Sequence, residues 1–162
     1  MTFDPTFAFY RDDRRLNATI DDADPFWSAM KEEAGRLYTS RVESFPGRVA
    51  KGRMSRAEAD REIRIARAIA EGWGAAQRAP DAPIATVIEI LHGLRREIHL
   101  RRQRWPALVE QHRITAEEMD RRILVLEICH DIMWHGSTAP EMLAARADLD
   151  RYHQQQALKQ AA

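Results

Sequence analysis

The chain has 162 residues, a formal net charge of zero and one cysteine, Cys129. That length suffices for one domain with a real core, the balanced charge excludes a histone-like polycation, and a lone cysteine excludes an intrachain disulfide. No stretch approaches the roughly 20 consecutive apolar residues that span a bilayer, so no membrane partner is expected.

Residues 1–22 carry Phe3, Phe7, Phe9 and Tyr10 without a clean period and read as an arm whose aromatics dock on the body. The start, "MTFDPTFAFYRDDRR", has no positive head followed by an apolar run, so a signal peptide is not expected and the setting reads as cytoplasmic. A first helix opens at Asp24, with Pro25 at its first position. Phe26, Met30, Ala34, Leu37, Tyr38 and Val42 recur along it at helical spacing. A second helix starts at Ser55, with the stripe Ala59, Ile63, Ala66, Ile69, Ala70 and Trp73, and "GWGAAQRAPDAP" ends it. A third runs from about Ile84 toward Trp105 through Val87, Ile88, Leu91, Leu94 and Ile98. A fourth starts at Thr115 and carries Met119, Ile123, Leu126, His130 and Met133. A C-terminal helix follows over 138–160, with Met142, Leu149 and Tyr152 on a thin apolar seam. No segment alternates with period two, so the expected class is all-α, within one domain of 1–162.

The chain repeats itself. "SFPGRVAKGRMSRAEADREI" at 44–63 answers "RWPALVEQHRITAEEMDRRI" at 104–123. At this offset of sixty residues Phe45 faces Trp105, Pro46 matches Pro106, Ser55 faces Thr115, and Glu58 matches Glu118. The first helix thereby falls on the third and the second on the fourth. The reading is two tandem helical hairpins, 24–73 and 84–134, forming a four-helix unit. Ser55 and Thr115 are N-caps, and Glu58 and Glu118 stand where a capping box needs them. Pro46 and Pro106 predict a kink or restart in the first helix of each hairpin. Arg61 and Arg121 are placed to cross to a partner helix, and Gly47 and Gly52 are expected to loosen the first elbow.

The second copy carries Trp105-Pro106, Leu108-Val109, Arg113, Ile114-Thr115, Glu118, Asp120-Arg121 and Ile123. This resembles a motif of small uncharacterised helical-hairpin proteins of bacteriophages and prophages, in which an arginine-rich helix meets an aromatic–proline step and then a capped E-x-D-R-x-I helix. The likeness covers about 84–130 well and 41–70 less well, and the first copy lacks the dense arginines before its proline. The resemblance implies an all-α hairpin in a phage-associated setting and implies no catalytic residues.

Two E-x-x-H spacings, Glu89 to His92 and Glu127 to His130, fit the spacing of di-iron carboxylate sites, with Glu32 and Glu71 as conceivable further ligands. Against that reading, Glu89 falls opposite the apolar stripe and should face water, while His130 falls on the stripe as a core residue. Cys129 and His130 point about 100° apart on a helix, a poor nucleophile–base pair. "GWGAAQ" follows a helix and lacks the third glycine of a phosphate-cradling loop. No metal or cofactor is therefore expected. The remaining signal is "RREIHLRRQR", where Arg95, Arg96, His99, Arg101, Arg102 and Arg104 form a basic length of helix. They are the candidate macromolecule-binding residues, for phosphates or an acidic protein face, against a solvated face paired internally. The expected function is a non-catalytic accessory protein that engages a host protein or nucleoprotein complex and inhibits it. Direct DNA or RNA binding and self-assembly, including a homodimer, are the alternatives, with a di-iron enzyme behind them.

Overall fold

A computed structural model describes residues 23–78 and 84–161, with side chains from Trp27 onward. The expected N-terminal arm and the prolines of the linker lie outside the residues so described; the backbone of Asp24 and Pro25 is helical, and their side chains lie outside the description. All regular structure in the described residues is helical: α1 (Ala23–Ala50), α2 (Arg56–Gly72), α3 (Val87–Glu110), α4 (Ala116–Gly136) and α5 (Pro140–Ala161).

Helices α1 and α2 pack as one hairpin and α3 and α4 as another. The hairpins meet reciprocally, α1 against α4 and α2 against α3, so the first helix of each lies on the second helix of the other. Their joint core holds Met30, Ala34 and Leu37 from α1, Ile65, Ala66 and Ile69 from α2, Leu94 and Ile98 from α3, and Leu126 and Cys129 from α4. Most lie on the stripes that helical periodicity marks, with Ile65 and Cys129 added beside them, and burying each Leu, Ile or Met side chain contributes roughly 1.5–3 kcal/mol. Val42, expected on the α1 stripe, is exposed. Helix α5 closes a second cluster, in which Met142, Ala145 and Leu149 cover Leu91 of α3 and Trp134 of α4.

The two elbows repeat each other bond for bond. In the first, the Gly52 N–H donates to the Val49 carbonyl and the Arg53 N–H to that of Arg48, each at 2.9 Å. Sixty residues on, the His112 N–H donates to Val109 and the Arg113 N–H to Leu108, again at 2.9 Å. Both are Schellman ends, and the residue at the turn has positive φ, 64° at Gly52 and 55° at His112. Gly52 therefore does not loosen the elbow; it is the residue type best suited to the conformation that closes it.

Pro46 and Pro106 both lie inside their helices, which run on to Ala50 and Glu110, so no restart occurs at either. Ser55 and Thr115 do cap α2 and α4, their hydroxyls accepting from the Glu58 N–H at 3.1 Å and the Glu118 N–H at 3.0 Å. The Glu118 carboxylate goes to Arg122 at 3.3 Å rather than back to its cap. The reciprocal capping box lies instead at the head of α3. Thr86 accepts from the Glu89 N–H at 3.2 Å and donates its own N–H to the Glu89 carboxylate at 2.9 Å.

Candidate functional site

Helix α3 presents its six candidate residues to different surroundings. Arg95 and Arg101 are each only 3% exposed, so they cannot form an outer contact face. The physical reason is helical spacing. Arg101 lies three residues beyond Ile98 and seven beyond Leu94, on the stripe that faces the core. Arg96, His99, Arg102 and Arg104 are exposed. Of these, Arg96 pairs with Glu62 of α2 at 2.7 Å and Arg102 pairs with Glu127 of α4. The arginine-rich length of α3 is thus largely a device for holding helices together.

Arg101 is the centre of that device. Its guanidinium meets Glu33 of α1, meets Glu97 one turn earlier at 2.7 Å, and donates to the Arg122 carbonyl of α4 at 3.2 Å. Glu33, 3% exposed, also takes Arg122 at 3.0 Å, and Glu97 also takes Arg41 of α1 at 2.9 Å. Burial pushes the Glu97 carboxyl upward, but the adjacent Arg101 and Arg41 outweigh it and hold the group below its ordinary range. Arg101 and Arg122 lie over the Trp105 ring at 4.4 and 4.7 Å from its centroid. At the equivalent place in the first elbow, Arg41 and Arg48 lie over Phe45 at 5.7 and 5.3 Å. The aromatic beside each proline is therefore a platform for guanidinium groups. The arginine that crosses between hairpins from α4 is Arg122, whereas Arg121 is exposed and Arg61 pairs among the described residues with its neighbour Glu62 at 3.7 Å.

Sequence reasoning missed Glu33, Glu97 and Arg122. Glu97 was legible, standing four residues before Arg101. Glu33 carried a signal too, as an acid beside Met30, Ala34 and Leu37 on an apolar stripe.

The residues weighed for chemistry are also committed. Arg95 donates through Nε to His130 Nε2 at 3.1 Å, so Nδ1 carries the ring proton and donates to Asp131 Oδ1 at 2.9 Å. Trp134 stacks on His130, 6.4 Å between ring centroids, and Arg95 lies 5.5 Å over the Trp134 ring. Burial, then Arg95, His135 and His92, hold the His130 pKa well below its ordinary value, which keeps the ring neutral. Burial, with the Glu33 charge behind it, pushes the Cys129 thiol up, so it is a core side chain and not a nucleophile. Glu89, expected to face water, is partly exposed and at the same time committed to partners. Its carboxylate binds Arg64 at 2.6 Å and the Thr86 N–H, and these bonds lower its pKa to about 2. The four members of the two E-x-x-H units do not converge, and among the described residues no three His, Cys, Asp or Glu side chains group as metal ligands.

Two surface features remain. A groove of about 390 Å³ on the second hairpin is lined by Arg102, Met119, Asp120, Ile123, Leu124 and Glu127. The elbows carry cations: Lys51 and Arg53 exposed with Arg48 half-buried at the first, and Arg104, His112 and Arg113 exposed at the second. Among the described residues none of these has a carboxylate within ion-pair distance. No helix of the described chain is long and apolar enough to cross a membrane. Comparison with protein-family models, curated proteins and solved structures yields no match.

Proposed function

We propose that this protein acts by binding a macromolecule, and that its cationic elbows make the contact. The observation that carries this reading is the distribution of uncompensated charge. Arg95, Arg96, Arg101 and Arg102 of α3 are drawn inward or paired, while Arg48, Lys51 and Arg53 at one elbow and Arg104 and Arg113 at the other face no carboxylate among the described residues. Guanidinium and ammonium groups on tight turns suit an acidic protein face. The motif resemblance supplies the setting: a phage-associated accessory protein that engages a host protein or nucleoprotein complex, such as a defence complex, and blocks it. The rigid reciprocal packing behind the elbows supports a preorganised contact.

The test uses poly-glutamate and a short DNA duplex as probes, titrated with the intact protein over a range of salt. Poly-glutamate is expected to bind, with affinity falling as salt rises, and Lys51→Glu with Arg53→Glu is expected to weaken it at least tenfold. Binding of neither probe, or binding indifferent to those reversals, would overturn the reading. Preferential binding of DNA with a steep salt slope would replace it with direct nucleic-acid recognition.

A further inference from the structure

The two hairpins have diverged in opposite directions. At the first elbow stand Arg48, Lys51 and Arg53, where the second has Leu108, Gln111 and Arg113. The groove shows the reverse change. Its Leu124 and Glu127 stand where the first hairpin has Arg64 and Arg67. Asp120 at its rim matches Asp60, but Asp60 has Arg56 at 3.3 Å, and the second hairpin has Ala116 in that place. Asp120 is exposed and has no cation within ion-pair distance among the described residues. One hairpin therefore carries a basic projection, and the other an apolar hollow rimmed by the exposed Asp120 and by the Arg102–Glu127 pair, in which the cation is already matched.

From this complementarity we infer that the groove on α4 receives the first elbow of a second copy of the chain. Lys51 and Arg53 supply the cation that Asp120 lacks, and the half-buried Met54 or Val49 meets the floor of Met119, Ile123 and Leu124. The elbow's own residues are not among those that line the groove of their own molecule, so an elbow seated there belongs to a second copy. Because the two patches differ, a closed dimer uses the contact twice, each elbow in the other's groove. This inference shares the first elbow with the binding reading above. Self-association then competes with an acidic partner for the same cations.

Sedimentation equilibrium over a range of concentration and salt tests it on the full chain. Mass is expected to rise from the 18.7 kDa protomer toward twice that value, and to fall back as salt rises. Asp120→Lys alone and Lys51→Asp alone are each expected to weaken association at least tenfold, and an equimolar mixture of the two is expected to restore it. Circular dichroism on each variant establishes that it is folded. A protomer mass at every concentration, or association unchanged by Asp120→Lys, or no recovery in the mixture, would overturn the inference. Failure here is separable from failure of the binding reading: Asp120→Lys leaves poly-glutamate binding intact, whereas Lys51→Asp diminishes both.

Discussion

At the scale of the residue, two side chains hold unusual states that stability measurements can read. His130 is neutral, with its Nε2 engaged by Arg95 and a pKa held below its ordinary 6.5. A base depressed in the folded state binds more protons when unfolded, so stability is full above the unfolded pKa and declines as pH falls below it. Denaturant unfolding is expected to lose up to about 1.4 kcal/mol per pH unit below pH 6.5, and His130→Gln is expected to flatten that decline. The carboxylates act in a lower window. Glu89, with its pKa near 2, contributes fully above its ordinary 4.5 and loses that contribution as pH falls from there toward 2. The second residue is His112, a non-glycine at φ 55° in the position that Gly52 occupies at the other elbow. His112→Gly is expected to stabilise by about 1 kcal/mol in a thermal melt, and Gly52→Ala to destabilise by about the same. Nothing in the local sequence marked His112 as left-handed; only its alignment with Gly52 does.

At the scale of the element, the helices were legible because their apolar residues recur with the period of the helix and because Ser55 and Thr115 mark the starts of α2 and α4. Their relations were less legible. Ser55 and Thr115 cap through their hydroxyls alone, the Glu118 carboxylate going to Arg122, and the one reciprocal box among the described residues stands at Thr86. The prolines did not break α1 or α3: each forfeits one ladder bond, and the helix runs on one further turn to its Schellman end. The run of arginines on α3 looked like a surface because sequence does not reveal which carboxylates wait opposite, and Glu33 stands sixty-eight residues before Arg101. Glu33 serves both Arg101 and Arg122, and removing one partner of a buried pair leaves uncompensated charge. Glu33→Leu is expected to destabilise by about 3–5 kcal/mol in urea unfolding. The α2–α3 contact is equally specific. A Cβ on Gly93 would stand 2.5 Å from Ile65 Cγ2. Gly93→Ala is expected to cost about 1–3 kcal/mol, with much of it recovered in a double mutant carrying Ile65→Ala.

At the scale of the whole molecule, the repeat explains both the fold and its asymmetry. Duplication gives two hairpins that shield each other's stripes, α1 on α4 and α2 on α3. The copies are not identical: the first has the more cationic elbow, and the second has the groove and the arginines Arg101 and Arg122 that meet Glu33 of the first. The offset of sixty residues showed the first part from sequence alone; the second part needed Arg101 and Arg122 to be seen on one tryptophan ring. The most direct measurement is a crystal structure refined to side-chain detail. Residues 24–73 and 84–134 are expected to superpose at the sixty-residue register, with Gly52 and His112 both at positive φ and Glu33 between Arg101 and Arg122. Hairpins that overlay only at another register, or a strand in either segment, would contradict the doubled-hairpin origin of the fold.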